Sequence, residues 1–431
     1  MGKMYKMLMR QHIGAPGIPE VAAGDRVKRG QKIARFEGLG ANIHASVQGK
    51  VAEVTEEYVL VEADDAQPDT FEPIAKNENI AEMIKDSGLV GLGGAGFPTY
   101  VKLATKLEGG YVICNAAECE PLLKHNITRM EKYPEQVYRG MELAMQATGA
   151  TKGIFAIKGK NAGAIASMRG VIKNPAITIH ELPDLYPMGE ERAVIRESLG
   201  ILLQVDQLPS VSNCVILNAE TMYRIAEAVD TGKPLISKDV TIVGKMQRGH
   251  DSQVFLDVSL GTSVADLVAM AGGIDGEVGE IIMGGPFTGR ATTLDAPMVK
   301  TTGGIIPTME FMKVSRPLGL LVCACGANLD RMNELAQKMG ANVVGVQSCK
   351  QAKAVKNALK CENPGNCPGQ AEKIMELRKA GAEVLLVGNC SDCTNTVMCV
   401  APKLKMPVYH ITDHVMRTVN HSLVRRLPIE Q

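Results

Sequence analysis

The stretch GLVGLGGAGFPTYVKLATK, from Gly88 to Lys106, constrains this chain more than any other. Gly91, Gly93, Gly94 and Gly96 crowd together, Pro98 stands where a helix can begin, and Lys102 lies about one turn further on. Glycines let backbone approach a bound group closely, and a helix start offers free N–H groups and the positive end of its dipole. The expected product is an anion cradle. Ahead of it, Asn79 to Gly88 carries apolar residues at helical spacing and ends on a C-cap glycine, so a helix leads in. A dinucleotide fingerprint needs a strand at that place, and a P-loop needs Gly-Lys followed by Ser or Thr. Neither pattern fits. The plainer alternative is an ordinary glycine-rich turn.

At 431 residues the chain has room for about three domains. No apolar run approaches the roughly 18 residues that span a bilayer, and Lys3, Lys6 and Arg10 have no apolar run behind them, so the expectation is a cytoplasmic protein without membrane insertion. Lys+Arg and Asp+Glu are 47 each, with no basic tract, which argues against nucleic acid. Of the 11 cysteines eight follow position 320, a crowding that points to metal, cluster or redox chemistry rather than disulfides.

The first segment reads as short strands broken by turns. VAAGDRVKRGQKIARFEG and HASVQGKVAEV resemble a biotinyl/lipoyl-like barrel-sandwich, but the place of a carrier lysine falls near Gly38, so lipoylation is not expected. From Asn79 to about Pro234 the pattern is α/β. Strands are expected at Tyr111 to Asn115, Gly153 to Lys158 and Ile177 to Leu182, and another from Cys214. Asn115 to Pro121 (NAAECEP), the Gly189-Glu190-Glu191 turn and Leu217 to Thr221 (LNAET) deliver Asn, Glu and Thr to strand ends or helix starts, the usual place for ligand contacts. Capping of helix starts explains Glu190 and Glu191 equally well.

GLVGLGGAGFPTYVKL, NAAECEP, MGEERAVI and LNAET, in this order, look like the FMN- and NADH-binding domain shared by the NADH-oxidising subunit of respiratory complex I and the RnfC component of Rnf electron-transport complexes. The likeness covers about residues 10 to 310. It implies that Gly91, Gly93 and Lys102 hold the flavin phosphate, with Gly94 and Gly96 in the same loop. It also implies that Asn115, Glu118, Asn218 and Thr221 line the flavin, and that Phe97, Glu120 and Glu191, with Glu190 beside it, face NADH. Val90, Leu92, Ala117 and Ala219 depart from the complex I pattern and follow the Rnf-type variant. Lys238 to Pro307 resembles the soluble-ligand-binding β-grasp domain of the same families.

After Arg316 the chain lacks the CxxCxxCxxxCP runs of Rnf-type subunits. In their place the periodicity predicts strand Leu318 to Val322, helix Asp330 to Met339, strand Asn342 to Val346, helix Ala352 to Lys360, helix Gln370 to Ala380, and strands Glu383 to Val387 and Pro407 to Ile411. Right-handed crossovers make this a small parallel sheet. Cys323, Cys325, Cys349, Cys390 and Cys393 would then share its carboxyl edge. Cys390-Ser391-Asp392-Cys393 is a CxxC, a spacing used by redox dithiols, iron–sulfur clusters and zinc alike. Cys323, Cys325, Cys390 and Cys393 are the candidate redox residues; Cys349, Cys361, Cys367 and Cys399 are candidate metal ligands. His410 and His414, four residues apart, could pair as ligands but read rather as ordinary surface or packing residues.

The expected architecture is α/β multidomain: a barrel-sandwich over 1–75, an FMN/NADH-binding α/β domain over 76–235, a β-grasp domain over 236–315 and a parallel, cysteine-rich α/β domain over 316–431. An RnfC-like body with such a tail resembles the proline-reductase-associated electron-transfer proteins of amino-acid-fermenting anaerobes. That resemblance implies electron transfer from NADH through FMN and the cysteines to a partner reductase, D-proline reductase. Two alternatives stay open: an input subunit of a membrane-associated Rnf-type complex, and a docking scaffold without flavin.

Overall fold

The computed structural model describes residues 2–355, 358–388 and 396–421. In the first segment Met4–Leu8 and Gly49–Val54 flank Tyr58–Ala63 in antiparallel pairing, and Ile18–Pro19, Lys32–Arg35 and Ile43–His44 form a second small sheet. Val59, Val61 and Ala63 alternate inward and join Met7, Met9, Ile33 and Val51 in one core. This period of two is what a sheet with one wet face requires.

The next sheet is parallel throughout, in the order Ile177–Leu182, Lys152–Lys158, Tyr111–Ala116, Cys214–Asn218. Tyr111–Ala116 reads as an unbroken apolar run because it is covered on both sides: Val112 and Cys114 enter one core and Ile113 enters another. The direction of strand succession reverses between Tyr111–Ala116 and Cys214–Asn218, and ligands of open α/β sheets bind at the carboxyl side of such a switch. Asn115 and Asn218 are partners in register there.

A five-stranded mixed sheet follows, ordered Gln253–Ser259, Ser237–Ile242, Gly304–Thr308, Glu280–Met283, Arg290–Thr292. Its helix, Val264–Met270, is capped by Ser263, whose hydroxyl accepts from Asp266 N at 3.1 Å. Arg129, on the helix His125–Lys132 of the preceding domain, donates two hydrogen bonds to Asp239 at 2.7 and 2.5 Å, with both side chains fully buried.

The last sheet is parallel, ordered Val343–Ser348, Leu318–Val322, Val384–Val387, Val408–His410. Every residue of Leu318–Val322 is buried, as a central strand with helices on both faces demands. His414 lies in the helix Asp413–Thr418, stacks on Phe311 and meets Glu280 at 2.8 Å, so it packs this domain onto the mixed sheet. Arg331 and Lys338 bind the same carboxylate.

One expected element is overturned. Ala352 to Lys360 is not a helix; Ala352–Val355 and Ala358–Cys361 are strands of an antiparallel hairpin. Val355 and Leu359 share a face at helical spacing, but Leu359 is exposed, so no core exists for that face to bury. Pairing Ala352 with Cys361 instead brings Cys361 into a buried place.

Candidate functional site

Asn79 caps the helix Ile80–Asp86, and Gly88, at φ +68°, turns the chain into the glycine-rich loop. That loop closes on itself: Gly91 N donates to Phe97 O at 2.8 Å and Gly96 N to Gly91 O at 3.1 Å. Gly94 has φ +103° and an open space where a side chain would stand. Gly96, at φ +64°, would press a Cβ against Thr301 Cγ2 at 2.9 Å. Glycine is required at both positions, once by conformation and once by conformation and contact together. Gly93, Gly94 and Ala95 form the exposed crest.

The loop is held from below. Leu92 N donates to Thr221 Oγ1 at 3.0 Å, and a Cβ on Gly93 would come within 3.3 Å of Asn218 Nδ2. Asn218 Oδ1 accepts from Glu220 N at 2.9 Å and Thr221 N at 3.3 Å, capping the helix Ala219–Ala226. From the side, Ile13 N donates to Gly96 O at 2.9 Å, and the buried Lys300 ammonium donates to Asn42 O at 2.6 Å and Gly88 O at 2.8 Å. Burial draws the Lys300 ammonium down to about 7. Nothing in the local sequence around Lys300 marks it; only the fold gives it this place.

Lys102, in the short helix Thr99–Leu103, donates to Glu191 Oε1 at 2.7 Å and Ile216 O at 2.9 Å. Asn115 Nδ2 donates to Gly189 O at 2.8 Å, tying the NAAECEP strand end to the Gly-Glu-Glu turn. Glu190 caps the helix Glu191–Leu199 and binds Arg192 at 2.9 Å, so it serves the helix rather than an open pocket. Glu118 sits at φ +36° and accepts from Asn126 Nδ2 at 2.7 Å. Burial pushes its carboxyl up to about 7, with Glu120 adding to the rise. The Glu120 carboxylate accepts from Phe287 N and Thr288 N, both at 2.8 Å, and from the Thr288 hydroxyl. It is largely committed to that neighbouring loop, a partner that strand-end reasoning did not anticipate.

Beside Glu118 and Glu120 opens a cavity of about 580 Å³, also lined by Lys158, Lys160, Asp184 and His250. Its size falls within the roughly 300–1,000 Å³ of ligand pockets. Lys158, buried at the end of its strand, pairs with Asp184 at 3.2 Å. Neither residue was expected at the site, although Lys158 closes an apolar strand, a signal that marks the ligand edge.

The exposed glycine crest, the close approach of Gly93 to Asn218 and the cation of Lys102 fit a flavin phosphate and the edge of its ring. Gly91, Gly93, Gly94, Lys102, Asn115, Asn218 and Thr221 are brought together at one sheet edge. Phe97 stands half-buried at the end of the loop.

In the last domain Cys323 and Cys325 follow the strand Leu318–Val322, and Cys349 follows Val343–Ser348. Cys361 and Cys367 arrive by way of the hairpin and join them around one small cavity that Tyr186 and Pro187 also line. Cys323, Cys325, Cys349 and Cys361 influence one another's protonation there. Their mutual hydrogen bonding holds the Cys323 and Cys361 thiols below their ordinary range and pushes those of Cys325 and Cys349 above it. Gln370 Nε2 reaches Cys349 at 3.1 Å and Cys367 at 3.6 Å. Cys399 ends the turn Thr396–Cys399 and is not among the residues lining that cavity. Among the described residues no group of three His, Cys, Asp or Glu is placed to hold a metal ion, Cys349, Cys361, Cys367 and Cys399 included. Cys390 and Cys393 lie outside the described residues.

Parallel sheet, glycine crest and paired asparagines define the class: an oxidoreductase chain built on a flavin domain. Residues 84–227 match the Nuo51 FMN-binding domain and residues 1–68 the RnfC barrel sandwich hybrid domain. The RnfC-type component of the Na(+)-translocating ferredoxin:NAD(+) oxidoreductase complex of Acetobacterium woodii is 32% identical over 77% of this chain and 81% of its own length. Its counterpart in the proton-translocating ferredoxin:NAD(+) oxidoreductase complex of Clostridium ljungdahlii is 33% identical over 69% of each chain. Cobalamin reductase PduS of Salmonella typhimurium is 36% identical over 53% of this chain and 49% of its own. The chain belongs to the RnfC family of Rnf-complex components. No helix among the described residues is long and apolar enough to cross a membrane.

Proposed function

We propose that this chain is a cytoplasmic electron-transfer protein that takes electrons from NADH at the FMN domain and delivers them through its C-terminal cysteines to a partner reductase, D-proline reductase by family resemblance. The observation that carries the reading is the seam between the flavin edge and the cysteines. Gly189, bound by Asn115, belongs to the same turn as Tyr186, whose hydroxyl donates to Cys325 O at 2.6 Å. Arg192 donates to Cys361 O at 2.6 Å, and Arg196 to Asn363 Oδ1 at 2.5 Å and Pro364 O at 2.7 Å. One turn thus touches both ends of the route.

FMN, when bound, accepts a hydride and releases electrons singly or in pairs. The chain's own residues supply placement. Gly91, Gly93 and Gly94 would hold the phosphate with Lys102, and Asn115, Asn218 and Thr221 would fix the ring edge. Glu118, titrating near neutrality, can hold or release a proton at its carboxyl oxygen beside the cavity. The mixed sheet, read as a β-grasp domain, and the barrel-sandwich brace the loop.

Anaerobic purification, reconstitution with FMN and titration with NADH test the reading. Bleaching of the flavin band followed by reduction of D-proline reductase is the expected result; a chain that FMN and NADH leave unchanged overturns it. The likeness to components of ion-translocating complexes favours a second reading, an input subunit of such a complex. Co-purification with membrane subunits in place of a soluble reductase would select it.

A further inference from the structure

The cysteines on the far side of the Tyr186 seam are ordered by the fold. Val322 and Ser348 are partners in a parallel register, and Cys349 N donates to Val322 O at 2.8 Å, so Cys323 and Cys349 leave adjacent strands side by side. Neighbouring strands lie about 4.8 Å apart. That spacing falls inside the roughly 4.4–6.8 Å between α-carbons that a disulfide spans. Cys325 follows Cys323 by two residues and lines the same small cavity as Cys323, Cys349 and Cys361. The hairpin fixes Cys361 by pairing it with Ala352, and the Cys361 thiol donates to Gln351 Oε1 at 3.3 Å. The cavity these sulfurs line is about 30 Å³. It has room for a water or two.

We infer that Cys349, Cys323, Cys325 and Cys361 form a four-thiol row along which a single disulfide moves by exchange, carrying two electrons between the flavin-facing and outer sides of the C-terminal domain. This rests on the electron-transfer reading above and names the carrier within it. A disulfide arising at Cys323–Cys349, by exchange with a disulfide of the electron acceptor, is attacked at Cys323 by the Cys325 sulfur as its proton leaves. The Cys323–Cys325 bond forms, the Cys323–Cys349 bond breaks, and Cys349 leaves as thiolate and takes up the proton that Cys325 gave. Cys361 then attacks Cys325; the Cys325–Cys361 bond forms and Cys323 is released. Each step makes one S–S bond and breaks one, so no further oxidant or reductant enters. The disulfide ends beside Tyr186 and Arg192, where NADH-derived electrons would reduce it to two thiols.

The test uses the full chain, equilibrated anaerobically with reduced and oxidised dithiothreitol in varying ratio, quenched with an alkylating agent and mapped by peptide mass spectrometry. The expected result is a disulfide at Cys323–Cys349 and at Cys325–Cys361 in the same preparation. In Cys325→Ser the row is cut: Cys323–Cys349 persists and linkage to Cys361 is lost. In Cys349→Ser the Cys325–Cys361 disulfide persists. Four alkylated thiols at every ratio, or a metal bound stoichiometrically by these sulfurs in the purified chain, would overturn the row. Flavin bleaching by NADH, followed on the same preparation, separates the two claims. Disulfides without bleaching sustain the row and remove the electron-transfer reading; bleaching without disulfides removes the row alone.

Discussion

Tyr186 and Cys325 follow strands of different sheets and meet at one hydrogen bond, Tyr186 hydroxyl to Cys325 carbonyl, at 2.6 Å. The Tyr186 ring also packs against Phe287, with ring centroids 4.1 Å apart, so the phenol is fixed from both sides. Three domains therefore converge on one side chain, next to the cysteine row.

Replacing Tyr186 by Phe keeps the packing and removes the hydrogen bond. A loss of about 1 kcal/mol in stability is expected. Partner reduction should slow while flavin bleaching by NADH continues at its former rate, measured by stopped-flow absorbance. Equal slowing of both would place the effect in the flavin domain instead.

Lys102 is proposed as the cation of the glycine cradle, and Lys102→Gln should then weaken FMN binding by about 2 kcal/mol, a charge-assisted hydrogen bond's worth. Fluorescence titration of FMN into the apo-chain measures it. Undiminished affinity would remove Lys102 from the phosphate site and leave it as the partner of Glu191 alone.

Glu118 predicts a pH dependence of stability. Its folded pKa is raised from 4.5 to about 7, chiefly by burial, so the folded chain binds this proton more tightly than the unfolded chain does. Its contribution is complete below about 4.5 and is lost as pH rises through about 7. Glu118→Gln, which cannot ionise, should flatten the wild-type slope across that window when melting temperature is followed against pH.

Arg129 and Asp239 are both fully buried, and removing Arg129 takes away two of the charged hydrogen bonds Asp239 accepts, leaving Arg224 as its remaining arginine. Arg129→Met should cost about 3–5 kcal/mol. Chemical denaturation reads this directly; a loss below about 1 kcal/mol would mean that Arg224, which also binds Asp239 at 3.1 Å, carries the pair.

The sequence made the flavin edge legible because its signals are local. Tyr111–Ala116 and Cys214–Asn218 are apolar runs ending in or beside Asn, and Gly88 takes a left-handed turn just past the helix Ile80–Asp86, all readable within a dozen residues. What it concealed depends on pairing across the chain. Ala352 to Lys360 carries a weak helical stripe, and only its cross-strand partner decides for a hairpin. Cys361 and Cys367 consequently reach the strand-end cysteines by a route that no local pattern announces. Glu120 looked like a ligand contact because it follows a strand, yet the donors that take its charge, Phe287 N and Thr288 N, lie far along the chain.

The Lys300 ammonium has a consequence for how the chain comes into being. It joins residues 258 and 212 positions away, Asn42 and Gly88, at a single nitrogen. During synthesis the glycine crest emerges long before that nitrogen exists, and contacts of such sequence separation are closed late. Cofactor loading is therefore a closing event of biogenesis, and a ribosome-stalled chain ending before position 300 should capture no flavin.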